Sequence, residues 1–239
     1  MKLRHPILIA VGVVVLAVAG GLLWLYSSLD SLVKTAIEQY GPEITQVSVQ
    51  VARVTLAPTD GKGSIQGLRL GNPKEFSTGT SLKAGEISLQ VDPASLASDV
   101  IVIREVVIQS PEVTYESSQA GNNLETIQKN VEAYVARLGN GKKADSAPKK
   151  KFIIENLYIR DGRVNVNTAL TAGKTLSSGI PNLHLRDIGK KSNGATAGDV
   201  TKQVWDALVR STGSAVSSVG GAIKNGAKSI VEGAKRLFK

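Results

Sequence analysis

Residues 7–26 form a run of 20 residues without a charged side chain, and this run limits where the rest of the chain can fold. As an α-helix the run spans about 30 Å, which matches the hydrocarbon core of a bilayer. Lys2 and Arg4 precede it and Asp30 is the first charge after it, so the positive-inside rule places the N-terminus in the cytoplasm. The sequence therefore predicts one membrane anchor and an exported remainder.

The anchor has an aromatic outer end and one alternative interpretation. The residues that we assign to it are Ile7, Val15, Leu22, Trp24 and Tyr26. The alternative is a cleaved signal peptide, because Ala17-Val18-Ala19 has the small-x-small pattern of a cleavage site. Strong hydrophobicity continues beyond this triplet through Leu25, which favours an uncleaved anchor. Both interpretations export the chain that follows.

After the anchor, the apolar residues change from helical to strand spacing. A short helix is predicted over residues 28–40, near the membrane surface, and Gly41-Pro42 is expected to end it. From Ile44 onward apolar residues alternate with polar ones, as in residues 47–51 and 87–91. Glycine, Asn-Pro and Asp-Pro turn signals separate these segments. The spacing predicts an antiparallel meander of short strands.

An internal repeat supports the strand pattern. Residues 103–116 (IREVVIQSPEVTYE) align without gaps on residues 154–167 (IENLYIRDGRVNVN), and a weaker third copy begins at Ile65. Pro111 and Gly162 occupy the same position of the repeat, which we interpret as a tight turn between two strands. Repeated hairpins of one type predict a laterally extended sheet with a continuous apolar face.

Two helical segments are expected beside this sheet. Asn122 and Glu125 resemble a capping box at the start of a helix over 122–138, whose apolar stripe is typical of a helix packed on a sheet. A helix that binds a partner is the alternative. A basic linker, 140–151, follows it. The tail, 191–239, has helical spacing, several glycines and a lysine-rich end, so it could lie on an anionic membrane, cap the sheet or stay partly disordered.

The net charge of +9 does not indicate a nucleic-acid-binding face. Residues 27–140 carry 9 Lys and Arg against 13 Asp and Glu, whereas the linker and the tail hold the excess of basic residues. Nucleic acids are bound by basic faces with interleaved aromatic side chains, and no segment shows that pattern. We therefore predict no nucleic-acid partner.

No group of residues in the sequence predicts catalysis or a metal site. His5 precedes the anchor, and His184 stands in an alternating run that predicts an exposed strand residue. Asp92 and Asp99 could be a carboxylate pair, but Asp92-Pro93 is better explained as a turn and Asp99 as the end of a loop. The absence of cysteine excludes thiolate ligands and disulfides. We predict a protein that is not an enzyme and has no cofactor.

Several segments together resemble the N-terminal region of the AsmA family. They are Gly67-Leu68, Asn72-Pro73 with Phe76, the segment around Ser95-Leu96, Pro111 with Tyr115-Glu116, and the Asn123-Leu124 helix start. Segments 154–167 and 180–190 are similar to the repeated strands of that family, and the resemblance with the anchor covers most of residues 7–190.

This resemblance implies an inner-membrane protein of a Gram-negative envelope, with a periplasmic sheet curled into an apolar gutter. It also implies a role in moving phospholipid toward the outer membrane or in outer-membrane homeostasis. Members of the family are far longer, and a gutter of about ten strands would here be only about 50 Å long. The chain would then have to self-associate, join other envelope proteins or act as a local shuttle.

We therefore expect a mainly β protein with flanking helices (α+β) in three parts. These are 1–27, a cytoplasmic stub and anchor; 28–190, the periplasmic β domain; and 191–239, a basic amphipathic helical tail. The expected partners are the phospholipid bilayer and a bound phospholipid.

Acyl chains would bind along the apolar face of the sheet. The candidate lining residues are Val49, Leu68, Leu70, Leu89, Val91, Val106, Ile108, Leu157 and Ile159. These residues could instead form a closed core against the helix and the tail. The alternative function is a non-catalytic scaffold that organises other envelope proteins.

Overall fold

The computed structural model describes residues 28–119, 121–139, 150–167 and 175–237. Within these ranges no helix is both long enough and apolar enough to cross a membrane. The predicted anchor and most of the basic linker lie outside the described residues. Lys151, which the sequence predicts as the last residue of the linker, instead pairs as the first residue of a strand.

The described chain is mainly β with three α-helices. The strands are β1 (Val49–Gln50), β2 (Arg53–Ala57), β3 (Lys62–Gly71), β4 (Thr80–Val91), β5 (Val100–Gln109), β6 (Glu112–Ser118), β7 (Gly121–Asn122), β8 (Lys151–Arg160), β9 (Arg163–Asn167), β10 (Leu176–Gly179) and β11 (Leu183–Ile188). The helices are α1 (residues 28–45), α2 (Asn123–Gly139) and α3 (Ala197–Leu237). Two short 3-10 helices lie at Pro93–Ser95 and Lys190–Ser192.

The strands form one mixed sheet, in which spatial order follows chain order. Two positions in the sheet hold one long strand each, β3 and β4. The other four positions each hold two strands end to end: β1 with β2, β5 with β6, β8 with β9, and β11 with β10. Across the sheet the order is β1/β2, β3, β4, β5/β6, β8/β9 and β11/β10. Six strand positions at a spacing of about 4.8 Å give a width of about 24 Å. The expectation of ten strands side by side is wrong for this reason.

The expectation of a purely antiparallel, curled sheet is also wrong. β5 pairs with β8 in parallel, and β6 pairs with β9 in parallel. Parallel neighbours need a long crossover between them, and the segment that contains α2 supplies it. The sheet is mixed and uncurled, and α2 and α3 pack on the face that a gutter would enclose.

The internal repeat marks these parallel pairs rather than a series of hairpins. Ile103 pairs with Ile154, and Val113 pairs with Val164, so the two copies lie side by side in exact sequence register. Each copy consists of two strands that run in the same direction, β5 and β6 or β8 and β9. A break separates the two strands at Ser110 or Asp161, both of which have positive φ. The predicted turn is therefore a strand irregularity.

The breaks line up across the sheet. The Ser110 amide donates to the Arg160 carbonyl at 2.8 Å, and the Arg163 amide donates to the Pro111 carbonyl at 2.8 Å. Residues five apart across a break, such as Ile159 and Val164, both belong to one core, although an unbroken strand would place them on opposite faces. The breaks therefore keep both ends of the long strands in the same apolar layer.

α2 begins and packs as its sequence predicts. The Asn122 side-chain oxygen accepts a hydrogen bond from the Glu125 amide at 2.9 Å, which confirms the predicted cap. Leu124, Ile127 and Val131 are buried against the sheet. The interpretation of α2 as a helix packed on the sheet is confirmed.

α1 runs past the predicted stop at Gly41-Pro42 and ends at residue 45. The last turn is held because Ile44 is buried in the core and the Thr45 hydroxyl donates to the Gly41 carbonyl at 2.8 Å. The strand pattern therefore begins later than Ile44, at Val49.

Side chains of α1 protect one edge of the sheet. The Asp30 carboxylate accepts from the Leu56 amide at 2.9 Å, and the Glu38 carboxylate accepts from the Val51 amide at 2.9 Å. Edge strands with unpaired backbone groups are templates for unwanted pairing. α1 thus closes the edge formed by β1 and β2.

Candidate functional site

The candidate site is the apolar face of the sheet, which we define by three rows of paired side chains. The rows are Leu89–Val106–Leu157–Leu185, Ile65–Ile87–Ile108–Ile159–Leu183 and Leu70–Leu82–Val113–Val164. Each row crosses at least four strands. The periodic apolar residues of distant segments are therefore brought into one continuous layer.

The nine candidate lining residues differ in exposure. Five are buried: Val49, Leu70, Val106, Leu157 and Ile159. Four are partly buried: Leu68, Leu89, Val91 and Ile108. Helices α2 and α3 pack over the same core, so the buried five have the closed-core arrangement rather than that of an open groove.

The first part of α3 caps the sheet, which is one of the three arrangements predicted for the tail. Trp205, Leu208 and Ala215 are buried in the core, and Val219 packs against it. The helix is continuous from Ala197 to Leu237, so the glycines do not interrupt it. A tail that begins within the core of the sheet is part of the same structural unit.

A cleft opens between the start of α2, strand β6 and α3. Its volume is about 230 Å³, and its apolar lining consists of Tyr115, Leu124, Val209 and Val216. Asn122, Glu125 and Ser217 supply polar groups. Burial raises the pKa of Tyr115, and the negative charge of Glu125 adds to the rise. The cleft thus combines apolar walls with a carboxylate.

A buried carboxylate organises the loop between β3 and β4. Glu116 is 8% exposed and accepts hydrogen bonds from the Ser77 amide at 2.8 Å and hydroxyl at 2.6 Å. It also accepts from the Thr78 amide at 2.8 Å and from the Thr78 hydroxyl. Burial alone raises the pKa of Glu116, but these hydrogen bonds outweigh it and lower the pKa from 4.5 to about 2.

A fully buried amide joins that loop to α2. The Asn123 side chain accepts from the Glu116 amide at 2.9 Å and donates to the Asn72 side chain and the Thr114 carbonyl, both at 2.8 Å. Phe76 of the same loop is also buried. Asn72, Glu116 and Asn123, which belong to the segments that resemble the AsmA family, therefore meet in one polar network. Their pattern was visible in the sequence, but the contacts between them depend on the tertiary fold.

The opposite face of the sheet is mostly polar. One of its rows contains Ser64, Ser88, Val107, Tyr158 and His184. His184 is exposed on β11, as predicted, and its ring stacks on Tyr158 with centroids 4.2 Å apart. The Arg160 guanidinium lies 4.5 Å from the centre of the Tyr158 ring. These contacts stabilise cross-strand pairs on an exposed surface.

The two carboxylates considered as a pair occupy separate structural positions. Asp92 caps the 3-10 helix at Pro93–Ser95 and lies 3.4 Å from the Arg104 guanidinium. Asp99 precedes β5, and its carbonyl accepts from the Lys151 amide at 2.9 Å. The turn and loop-end interpretations are confirmed. No group of three or more His, Cys, Asp or Glu residues that could hold a metal ion occurs in the described part of the chain.

The fold and the site define a two-layer protein, a mixed sheet with an apolar face under two helices and a polar face without them. The sequence matches no protein-family model and no curated protein. The resemblance to the AsmA family stays a prediction.

Proposed function

We propose that the chain is a non-catalytic protein anchored in the inner membrane of a Gram-negative envelope, and that its apolar sheet face binds phospholipid acyl chains. The observation that carries the proposal is the continuity of the three apolar rows across the strands. Each methylene removed from water contributes about 0.8 kcal/mol, so a partly inserted chain is held without specific polar contacts.

The width of the sheet limits the kind of lipid handling that fits. About 24 Å of sheet is shorter than the periplasm is wide, so a single copy suits local binding at the membrane rather than continuous transport. The described part of α1 starts at residue 28, close in sequence to the proposed anchor, and α1 lies along the β1–β2 edge. The anchor would therefore hold the sheet near the membrane surface, with phospholipid as its expected ligand and self-association or larger envelope proteins as further partners.

The placement of the domain outside the cytoplasm has a direct test. Alkaline phosphatase needs disulfides and is active only in an oxidising compartment. Fused after Lys239, it should be active in cells that make the full chain and inactive when residues 1–27 are deleted. Activity of a cytosolic reporter at the same position, with an inactive phosphatase, would contradict the proposed localisation.

Lipid binding is tested by native mass spectrometry of the full chain purified in mild detergent. We expect stoichiometric phospholipid on the native chain and its loss in Leu89→Asp, because a carboxylate on the apolar face repels acyl chains. Ile108→Asp is the second variant. Ser88→Asp is the matched control, since Ser88 neighbours Leu89 but lies exposed on the polar face. Circular dichroism verifies that each variant is folded. A native chain without lipid contradicts the proposal.

The alternative function, a scaffold for other envelope proteins, is favoured by the second sheet edge. Within the described residues no strand pairs with the outer side of β10 and β11, in contrast to the edge that α1 protects. Such an edge can accept a strand from another protein. A lipid-free native chain that retains a stoichiometric protein partner would support this function.

A further inference from the structure

We infer that α3 from Ser211 onward is a displaceable cover, and that an acyl chain reaches the apolar face by the cleft between this part of α3, the start of α2 and β6. The inference rests on the proposed function and specifies how its site opens. It follows from the difference between two parts of α3, residues 197–210, called the first half below, and residues 211–221, called the second half.

The first half of α3 is held to α2 by specific contacts. The Trp205 indole donates to the Leu124 carbonyl at 3.1 Å, and the Gln128 amide donates to the Asp206 carboxylate at 2.9 Å. Lys202 bridges the two helices, with its ammonium 2.6 Å from Asp206 and 3.4 Å from Glu132. These contacts hold the helix while a later part of it moves.

The second half is bound to the sheet less well. Thr212 is 0% exposed, and its hydroxyl has no hydrogen-bond partner among the described residues. A buried hydroxyl without a partner weakens the packed state. The neighbouring buried residues Ser211 and Ala215 are small, and the Ser211 hydroxyl donates to the Pro181 carbonyl over a long 3.5 Å. Val216 and Val219 pack against the core but are only partly buried.

Glycines weaken the same part of the helix without improving its packing. A Cβ added at Gly213 would meet nothing within 4 Å, and the same holds at Gly220 and Gly221. Glycine inside a helix is unfavourable relative to alanine. Among the described segments none approaches these three residues closely, whereas local loosening of α3 explains them.

The cleft lies where this weak part begins to leave the sheet. Val209 and Val216 of α3 face Tyr115 and Leu124 across about 230 Å³. α3 contacts β6, β9 and β10, and Tyr115 of the cleft belongs to β6. Movement of α3 beyond Ser211 would extend the cleft along these strands, while α2 keeps Val113 and Val131 in the core.

A cross-link across the cleft tests the inference. The chain has no cysteine, so a pair introduced by Tyr115→Cys and Val216→Cys is the only target for a short bis-maleimide. The matched control pair, Gln128→Cys and Asp206→Cys, joins α2 to the first half of α3. The probe is phosphatidylglycerol with a fluorescent acyl chain, added to the full chain in mild detergent.

Cross-linking the cleft pair should lower probe uptake by about tenfold, because the binding-competent fraction falls. The cross-linked control pair should take up the probe at the native level, because the link replaces the α2–α3 contact that the two substitutions remove. Equal uptake before and after cross-linking of the cleft pair overturns the inference but leaves the proposed function standing. If the native chain takes up no probe, the proposed function fails and the inference fails with it.

Thr212→Val gives an independent test without cysteines. Removing the unpaired hydroxyl should raise the melting temperature and slow probe uptake, because the cover is then held more firmly. A variant that melts higher and takes up the probe at the native rate contradicts a cover that must move. Thr212→Val also tests whether α3 must move if the cysteine pair itself disturbs folding.

Discussion

Trp205→Ala is expected to lower the free energy of unfolding by about 3–5 kcal/mol, the range for removal of a buried aromatic side chain. Trp205 is 4% exposed and belongs to the core that α3 shares with the sheet. Its indole N–H also donates to the Leu124 carbonyl at 3.1 Å, at the start of α2. The substitution therefore leaves a cavity between the two helices and removes a hydrogen bond that joins them. Urea denaturation of the full chain in mild detergent measures the change.

Two variants separate the sources of this loss. Trp205→Phe keeps most of the apolar volume but removes the donor, so its cost should be smaller than that of alanine. Gln203→Ala, two residues earlier on an exposed position of α3, should change stability by less than about 0.5 kcal/mol. If Trp205→Ala costs no more than Gln203→Ala, α3 does not contribute to the core as described.

Glu116→Gln is expected to destabilise the protein by about 1–3 kcal/mol at neutral pH, the range for buried donors that lose a charged acceptor. The pKa of Glu116 is lowered from 4.5 to about 2 in the folded chain, because its hydrogen bonds favour the ionised form. Glutamine keeps the shape of the side chain, but its amide group is a donor that faces the donors of Ser77 or Thr78. The loop between β3 and β4 would lose its anchor to β6.

The same residue sets a pH dependence with a defined sign. Because the folded pKa lies below the unfolded one, the contribution of Glu116 is present above about pH 4.5 and is lost as the pH falls toward 2. Stability measured from pH 6 to 2 should fall less steeply in Glu116→Gln than in the native chain. Glu86→Gln, which changes an exposed carboxylate on the polar face, should retain the native slope. Equal slopes for all three chains would show that Glu116 is not the group responsible.

The elements predicted correctly are those whose signals lie within a few residues of each other. The cap at Asn122, the turn at Asp92-Pro93 and the exposed strand position of His184 follow from local spacing and turn chemistry. The mainly β class follows in the same way, because alternation with period two is a property of each strand separately. Such signals do not depend on which distant segment becomes the neighbour.

The pairing of the repeats could not be obtained from that kind of signal. An apolar pattern has the same spacing whether the chain turns back at Pro111 or continues past it, so a hairpin and a broken strand look alike in sequence. The direction of pairing depends on the crossover through α2 and on the backbone at Ser110 and Asp161. These are relations between segments about fifty residues apart.

The sequence by itself determined the secondary-structure elements of this protein: strands with an apolar side, a capped helix and a tail with helical spacing. Only the tertiary structure decided that the apolar rows of β4, β5 and β8 lie under α2 and α3 instead of facing an open gutter. The physical reason is that an apolar face must be covered, but its periodicity does not specify the cover. Under the proposed function, access of a lipid chain to this face depends on how firmly α3 binds there, which is set by contacts such as Trp205 to Leu124 and by the unpaired Thr212 hydroxyl.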